Sequence, residues 1–306
     1  MANRVIILGS INVDSIYQVE RFPQPGETIA VKQKSYAPGG KGANQAVAAA
    51  RSGAEVSFVG AVGADNDGQE MVKTLGENNV DTGRIAVDPD NGTGSAVITL
   101  DENGQNDIMV YGGANQAMTE KQLAGLEQVL AKTDFLVAQL ETPQAVTLAA
   151  FKMAKQQHVT TILNPAPAAE LLPELMSYTD IIVPNETESA LLTGIAVKGE
   201  QSMLENAAFF KQQGIKHTII TLGEQGVFYA EEDDHGLVPA FKVKAIDTTA
   251  AGDTFIGALS SQLKPDLSNL ESALTYAQRA SSLTVQGMGA MPSIPLAAEV
   301  EEALQN

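Results

Sequence analysis

The sequence predicts an α/β protein whose central, mostly parallel sheet carries helices on both faces and which has a small additional β-sheet. Three observations predict this fold. Short apolar runs recur along the chain, helical stretches lie between most of them, and two segments lack a helical period. Apolar runs suit strands buried on both faces, and strands that alternate with helices form parallel sheets with right-handed crossovers. We interpret residues 1–306 as a single domain.

The apolar runs and helical stretches give the elements of the central sheet. Strands are predicted over Val5 to Leu8, Val56 to Val62, Phe135 to Leu140, Thr160 to Leu163, Asp180 to Val183 and Thr218 to Leu222. Helices are predicted over Lys41 to Ser52, Gly68 to Asn78, Thr119 to Lys132, Pro143 to Gln157 and Glu200 to Gln213. Thr119 and Gln122 form a capping-box pattern, which favours a helix start there.

Two segments, roughly 14–39 and 94–113, are predicted to form the additional sheet. The second segment reads as two strands joined around Glu102-Asn103-Gly104, because Asn-Gly favours a tight hairpin turn. A sheet this small cannot bury both faces by itself, so we expect it to cover a functional site or to pair with a second copy of the chain. Two surface hairpins without such a role are the alternative.

Composition excludes several functional classes. The chain has 19 Lys and Arg against 37 Asp and Glu, and its net charge of -18 would repel nucleic acids and anionic membranes. It has no cysteine for disulfides or thiolate chemistry, and its three histidines are too dispersed for a metal site. The apolar runs are too short for a signal peptide or a membrane span, so we expect a cytoplasmic location.

The segment 247–255 carries the strongest chemical signal. Ala250, Ala251 and Gly252 leave backbone N–H groups uncovered at the start of a helix, which is a favourable place for an anion. Asp253 lies in the first turn of that helix, where it could take a proton from a hydroxyl while the amides stabilise a phosphoryl group. The helix dipole favours the ionised form, so we expect a weak base. An Asp that only stabilises the helix start is the alternative.

A second glycine cluster, Gly39-Gly40-Lys41-Gly42-Ala43-Asn44, opens another predicted helix. The glycines allow a ligand to approach the backbone, and Lys41 and Asn44 can reach polar groups from the first turn. A tight turn with close helix packing is the alternative. No Walker A motif is present, so a nucleotide would be held mainly by backbone amides.

Polar residues follow two predicted strands at the edge where α/β sheets bind ligands. Asn12 and Asp14 come after the first strand, and Glu141 follows Leu140. Asn12 and Asp14 are two residues apart in an extended segment, so both face one side and can bind paired hydroxyl groups, as on a sugar. Asx turns at strand ends are the alternative.

Two later segments are candidate nucleotide contacts. Asn185-Glu186-Thr187-Glu188 follows the strand that ends near Val183, and Glu188 could orient waters on a Mg²⁺ ion that shields phosphates. A helix N-cap with first-turn carboxylates explains the same pattern. The segment Thr221 to Gly226 ends another strand with glycines that would let a base or a ribose approach, although by itself it is only a turn.

Taken together, these motifs resemble the ribokinase branch of the phosphofructokinase-B sugar-kinase family over essentially the whole chain. The matching motifs occur in family order: Gly-Ser-Ile-Asn-Val-Asp at 9–14, Gly-Gly-Lys-Gly-Ala-Asn at 39–44, Leu-Asn-Pro-Ala-Pro-Ala at 163–168, Pro-Asn-Glu-Thr-Glu at 184–188 and Asp-Thr-Thr-Ala-Ala-Gly-Asp-Thr-Phe at 247–255. The resemblance implies a ribokinase-like fold with a β-sheet lid, and ATP-dependent phosphorylation of the ribose 5-hydroxyl.

The resemblance also implies roles for individual residues. Asp253 would be the base, with the amides of Ala250 to Asp253 as the anion hole. The sugar would be bound by Asn12, Asp14, Gly40, Lys41, Asn44 and Glu141, with Ala96 and Ile98 on the lid. Nucleotide contacts would be Asn185, Thr221 through Gly226 (with Thr221, Gly223 and Gly226), Gly252 and Gln278. A monovalent cation, usually K⁺, would lie at Asp247, Thr249, Thr284, Gly287, Gly289 and Ser293. A homodimer through the lid sheets is expected.

Three other functions stay open from the sequence alone. The nearest is a sister kinase that acts on deoxyribose, another pentose or a nucleoside. A sugar-binding or regulatory protein that has lost catalysis and a purely structural α/β domain are the others, because fold does not guarantee function.

Overall fold

A computed structural model describes residues 2–102, 105–231 and 234–305. The strands are β1 Arg4–Leu8, β2 Asn12–Gln18, β3 Gln33–Gly39, β4 Glu55–Gly63, β5 Val80–Asp88, β6 Gly94–Leu100, β7 Asn106–Tyr111, β8 Phe135–Ala138, β9 Thr160–Leu163, β10 Ile181–Ile182, β11 His217–Thr221, β12 Val227–Glu231 and β13 Asp234–Val238. The predicted turn at Asn103-Gly104 lies outside the described residues.

The helices follow the strands in alternation along much of the chain. They are α1 Lys41–Arg51, α2 Asn66–Glu77, α3 Gly113–Gln116, α4 Leu126–Leu130, α5 Gln144–Gln156, α6 Pro173–Ser177, α7 Glu186–Thr193, α8 Glu200–Gln212, α9 Ala251–Gln262, α10 Leu270–Thr284, α11 Ala290–Ser293 and α12 Ala297–Gln305. Within the described ranges, no helix is both long enough and apolar enough to cross a bilayer.

The larger sheet has the order β13-β12-β11-β10-β9-β8-β1-β4-β5. Pairing is parallel from β5 through β11, and β12 and β13 add antiparallel strands at one edge. The mostly parallel sheet predicted from the sequence is therefore confirmed. The short antiparallel edge was not predicted.

Two hydrophobic cores lie on opposite faces of this sheet. Val5 and Ile7 of β1 pack into one core with Leu259 of α9, whereas Ile6 of β1 packs into the other core with Phe151 of α5. Successive strand residues point to opposite faces, so an uninterrupted apolar strand requires helices on both sides. The predicted helices on both faces are confirmed.

A separate four-stranded sheet has the order β3-β2-β6-β7 and confirms the additional sheet. Its strands occupy 12–18, 33–39, 94–100 and 106–111, so it begins two residues before the predicted segment. The β2 and β6 strands pair in parallel, and Asp14 lies opposite Ala96. We call this the lid sheet below.

One predicted helix is broken. The segment Thr119 to Lys132 forms a 3₁₀ turn at Glu120–Leu123 and then a short helix, α4. Gly125 between them has φ 71°, a left-handed conformation that interrupts a right-handed helix. The capping box of Thr119 and Gln122 is nevertheless formed, as predicted. The strand predicted to reach Leu140 ends at Ala138, which leaves the next residues free to serve as loop ligands.

Candidate active site

The carboxyl end of β1 is a topological switch point. From β1 the chain moves to β4 and β5 on one side and then returns to β8 on the other. Open α/β sheets bind ligands in the crevice that forms where the connections diverge in this way. Asn12 follows β1 and Glu141 follows β8, so the fold brings these two predicted site residues to the same edge.

Asp253 is buried at this edge on the first turn of α9. Its Oδ2 atom accepts a hydrogen bond from Asn44 Nδ2 at 3.0 Å, and its Oδ1 atom accepts one from Gln45 Nε2 at 3.1 Å. Both amides come from α1, which packs so closely on α9 that a Cβ at Gly257 would lie 2.5 Å from the carbonyl oxygen of Gln45. The contact between α1 and α9 therefore joins the two glycine-containing motifs predicted from the sequence.

Burial is the main influence on this carboxyl group. It raises the pKa of Asp253, while the Lys41 ammonium and the amides of Asn44 and Gln45 oppose the rise. The expectation of a weak base, drawn from the helix dipole, is wrong because loss of hydration outweighs the favourable charges. Burial by itself would lower the pKa of Lys41, but Asp253, Glu141 and Glu188 together raise it, so Lys41 stays a cation.

The start of α9 has the form expected of an anion site. Ala250 precedes it with φ 60°, and no side chain caps the helix. Gly252 is exposed, and a Cβ built on it would meet no atom within 4 Å. The sequence predicted free amides here, but the Ala251 N–H is not free: it donates to the Thr248 carbonyl oxygen at 3.2 Å. The open space therefore lies at Gly252.

Asn12 is held in one orientation. Its Oδ1 atom accepts from Asn115 Nδ2 at 2.9 Å, and the Asn115 side chain also pairs with both backbone groups of Ile11. The Nδ2 donor of Asn12 is thus the group left for a ligand. Gly40, with φ 91°, approaches Asn12 so closely that a Cβ would lie 2.8 Å from its backbone nitrogen, which requires glycine here.

Two carboxylates, Asp14 and Glu141, lie at this edge close enough to influence each other. Glu141 accepts hydrogen bonds from the Ser10 hydroxyl and, at 3.1 Å, from the Lys41 N–H. Desolvation and the nearby charge of Glu141 raise the pKa of Asp14 to about 6, against a hydrogen bond from the Ala96 backbone. Asp14 and Ala96 therefore face the site together from the lid sheet. Ile98 lies one alternation further along β6, opposite Ile16.

The predicted nucleotide residues line a cleft of about 360 Å³. Its walls include Asn185, Thr221, Gly223, Gly226, Gly252 and Gln278. A second cleft of about 210 Å³ contains Lys41, Glu188 and Asp253 and shares Asn185, Thr221, Ala251 and Gly252 with the first. The two clefts are thus neighbours, and Gly252 lies between them. Packing also requires glycine at 226, since a Cβ there would lie 2.1 Å from the Val238 carbonyl oxygen.

Glu188 forms the helix cap that its motif predicts, and the Mg²⁺ role stays a prediction. It forms a capping box with Asn185, in which Glu188 Oε2 accepts from the Asn185 N–H at 2.9 Å and Asn185 Oδ1 accepts from the Glu188 N–H at 2.8 Å. It also lines the cleft that contains Asp253. Burial raises the pKa of Glu188, with the Asn185 hydrogen bond and Lys41 opposing the rise.

The six predicted cation residues come together next to α9. Asp247 accepts from the Thr249 N–H at 2.9 Å and from the Gly289 N–H at 2.9 Å. Ser293 donates to the Gly289 carbonyl oxygen at 2.6 Å, and Gly287 donates its N–H to the Thr284 carbonyl oxygen at 3.0 Å. Two loops far apart in sequence therefore close into a single oxygen-rich unit.

Several buried polar side chains at the site were not predicted. Gln45, Gln139 and Asn164 form a hydrogen-bonded chain that ends on Asp253, and Asn115 orients Asn12. Gln139 directly follows the last residue of β8, and Asn164 directly follows that of β9. A polar residue at the carboxyl end of a buried strand was the signal used for Asn12, and the same signal would have found Asn164. Gln139 was missed because the predicted strand reached Leu140, whereas the observed strand ends at Ala138.

Fold and site define a class: an α/β enzyme for phosphoryl transfer to a polyol, with a lid sheet and an uncapped helix start beside a buried carboxylate. Residues 2–297 match the pfkB family carbohydrate kinase description. The chain belongs to the pfkB family of carbohydrate kinases.

Three relatives illustrate how closely the chain fits this family. It is 52% identical over 294 residues to a bifunctional ribokinase/ribose-5-phosphate isomerase A from Fructilactobacillus sanfranciscensis. This match covers 95% of the chain but only 54% of the relative. It is 49% identical to a ribokinase from Staphylococcus aureus, over 99% of this chain and 100% of the relative. The solved structure of Arabidopsis thaliana ribokinase complexed with ribose and ATP has a TM-score of 0.95 and 31% identity, with full coverage of both chains.

Proposed function

We infer that the protein transfers the γ-phosphoryl group of ATP to the 5-hydroxyl of D-ribose. The observation that carries this function is the position of Asp253: its carboxylate accepts from Asn44, a predicted sugar ligand, and its cleft shares Asn185, Thr221 and Gly252 with the cleft of the predicted nucleotide residues. A relative called ribokinase matches 99% of the chain at 49% identity, and the neighbour with bound ribose and ATP shares its fold.

The reaction follows from groups on this chain. Asn12 and Asp14 bind sugar hydroxyls as donor and acceptor, and Glu141 holds the loop that starts α1. Asp253 accepts the proton of the reacting hydroxyl, and burial makes it a stronger acceptor than an exposed carboxylate. The amides at the start of α9 face the negative charge that develops on the transferred group. The lid sheet excludes water from the sugar side.

The nucleotide would be accompanied by Mg²⁺, and the residues fit such an ion only in part. Among the described residues, no group of three or more His, Asp or Glu side chains could enclose a metal. Glu188 by itself can hold water molecules of an ion that is mainly bound by phosphate oxygens, which is the usual state of Mg²⁺. Mg²⁺ supplies charge shielding for the phosphates.

The loops at 247–249 and 284–293 fit a monovalent cation. A carboxylate, hydroxyl groups and backbone carbonyls are hard oxygen donors, and rings of carbonyls suit K⁺. We propose this cation as an activator that steadies the start of α9, because Asp247 and Thr249 lead directly into that helix.

Substrate class and cation dependence are tested together. We expect turnover with ATP, Mg²⁺ and D-ribose that exceeds turnover with deoxyribose, other pentoses and nucleosides, and that is higher in K⁺ than in an equal concentration of tetramethylammonium. The measurement is ADP formation over that panel. Faster turnover of another sugar would favour the sister-kinase alternative, whereas ribose binding without ADP formation would establish a non-catalytic binder.

Ribose binding should depend on pH through Asp14. With a pKa of about 6, Asp14 is mostly protonated at pH 5, and we expect ribose affinity to fall by about tenfold between pH 7 and pH 5. The folded pKa is raised, so this group contributes stability at low pH that is lost as the pH rises through about 6. Weaker binding at pH 5 would therefore not reflect unfolding through Asp14.

Isothermal titration of ribose into wild type and Asp14→Asn measures this effect. The Asn variant should bind weakly at both pH values, without the tenfold change. An unchanged ribose affinity of wild type from pH 7 to pH 5 would contradict the role of Asp14.

The lid sheet also supports a homodimer. Five of its large apolar side chains are exposed, and such a cluster is unusual on the surface of a monomer. They are Tyr36, Ile108, Met109, Val110 and Tyr111. We propose that a second copy covers them. The cytoplasmic location stays a prediction from the sequence.

A further inference from the structure

A chain of buried amide side chains leads from the central sheet to Asp253. Gln139 Nε2 donates to Gln45 Oε1 at 2.7 Å, and Gln45 Nε2 donates to Asp253 Oδ1 at 3.1 Å and to Asn164 Oδ1 at 3.2 Å. Asn164 Nδ2 in turn donates to the Val183 carbonyl oxygen at 3.0 Å. All four side chains are buried.

The orientation of each amide follows from the last member of this chain. A backbone carbonyl can only accept, so Val183 requires Asn164 to present its nitrogen there and its oxygen toward Gln45. Gln45 must then present its NH₂ group to Asn164, and the same NH₂ group reaches Asp253. The Oε1 atom of Gln45 consequently faces the Nε2 of Gln139. Gln45 cannot turn over without losing these bonds.

This arrangement distinguishes the two oxygens of Asp253. Oδ1 is bound on the side of the buried amides, and Oδ2 accepts from Asn44, one of the predicted sugar ligands. The Oδ1 of Asn44 itself is buried and has no partner among the described residues, as expected of a group that receives a ligand hydroxyl. The sugar side of the carboxylate is therefore the Oδ2 side.

We propose that Gln45 is a positioning residue for Asp253: its amide, fixed by Gln139 and Asn164, holds Oδ1 on the buried side and leaves Oδ2 to take the proton of the sugar hydroxyl. The inference rests on the proposed kinase function. Gln45 also opposes the rise that burial causes in the pKa of Asp253. Without Gln45 the carboxylate would rotate more freely and would take up a proton at higher pH.

The test is the pH dependence of kcat for Gln45→Met, because Met has a similar length and cannot donate a hydrogen bond. We expect the acid limb of kcat with ribose and ATP to move upward by about one pH unit, since a hydrogen bond to a charged group is worth about that much. At neutral pH kcat should fall about tenfold, while KM for ribose changes less than about threefold, because Gln45 does not face the sugar.

Two further variants make the test decisive. Gln139→Met removes the donor that binds Gln45 Oε1, one hydrogen bond further from Asp253. It should move the acid limb in the same direction by a smaller amount. Asn206→Leu is a matched control, because Asn206 is as deeply buried as Gln45 and its side chain makes four hydrogen bonds, but between α7 and α8. It should lower the melting temperature and leave the acid limb where wild type has it.

An unchanged acid limb in Gln45→Met would overturn the proposal. If that variant does not fold, an unchanged limb in Gln139→Met would do the same, as would an equal shift in Asn206→Leu. Wild type in the same assay tests the kinase function separately: an inactive wild type refutes that function, whereas an active wild type with unshifted variants refutes only the role of Gln45.

Discussion

Replacing Asp253 with Asn should lower kcat by roughly 10²-fold or more, which is the usual range for loss of a general base. The amide keeps the size of the carboxylate but cannot take a proton from the sugar hydroxyl. Ribose affinity should change much less, because Asn12, Asp14 and Glu141 remain. Since positioning and charge stabilisation supply much of the rate in phosphoryl transfer, measurable residual turnover is expected.

The variant should also fold. Gln45 is fixed as a donor, so the new side chain would turn its oxygen toward Gln45 and its NH₂ toward Asn44. Asn44 can rotate its amide to accept, because its own Oδ1 has no partner among the described residues. Steady-state kinetics, ribose titration and a melting curve on one preparation measure all three effects. Turnover within about threefold of wild type would remove Asp253 from the role of base.

Residues whose meaning is local were predictable from the sequence. The alternation of apolar runs and helical stretches gave the parallel sheet, because each strand buried on both faces reads as an apolar run. The Ala250 to Asp253 turn was recognised because small residues before an apolar stretch describe a helix start without its neighbours. The same holds for Asn185 and Glu188, whose capping box depends only on their spacing of three.

What the sequence did not reveal depends on contacts between distant segments. Gln45 reads as an ordinary helical residue, and its function emerges only because α9, β8 and β9 surround it. The strength of Asp253 as a base was misjudged for the same reason: the helix dipole can be read from local sequence, whereas burial by α1 cannot. Gly125 shows that a local pattern can also mislead. Periodicity favoured one continuous helix, but the left-handed conformation of Gly125 interrupts it.

The role of Gly252 follows from a local sequence pattern together with its three-dimensional surroundings. It is exposed, it lies in the first turn of α9, and a Cβ there would meet no atom within 4 Å, so packing does not require glycine. Its φ is also not among the positive values that favour glycine. The two clefts that contain the nucleotide residues and Asp253 share this position. A requirement for glycine at 252 would therefore have to come from a ligand.

Gly252→Val should accordingly lower kcat/KM for ATP by at least about 10²-fold, comparable to the loss of an oxyanion-hole donor, because the side chain covers the amides that face the transferred phosphoryl group. Stability should change by no more than about 0.5 kcal/mol, as for other exposed substitutions. Gly76→Val is the matched control, since Gly76 is also exposed, helical and open around its Cβ, but lies on α2. Kinetics and melting curves of both variants decide the matter: equal activity in the two would show that the start of α9 does not hold the phosphoryl group, whereas loss in Gly252→Val alone, with both folded, places the reaction there.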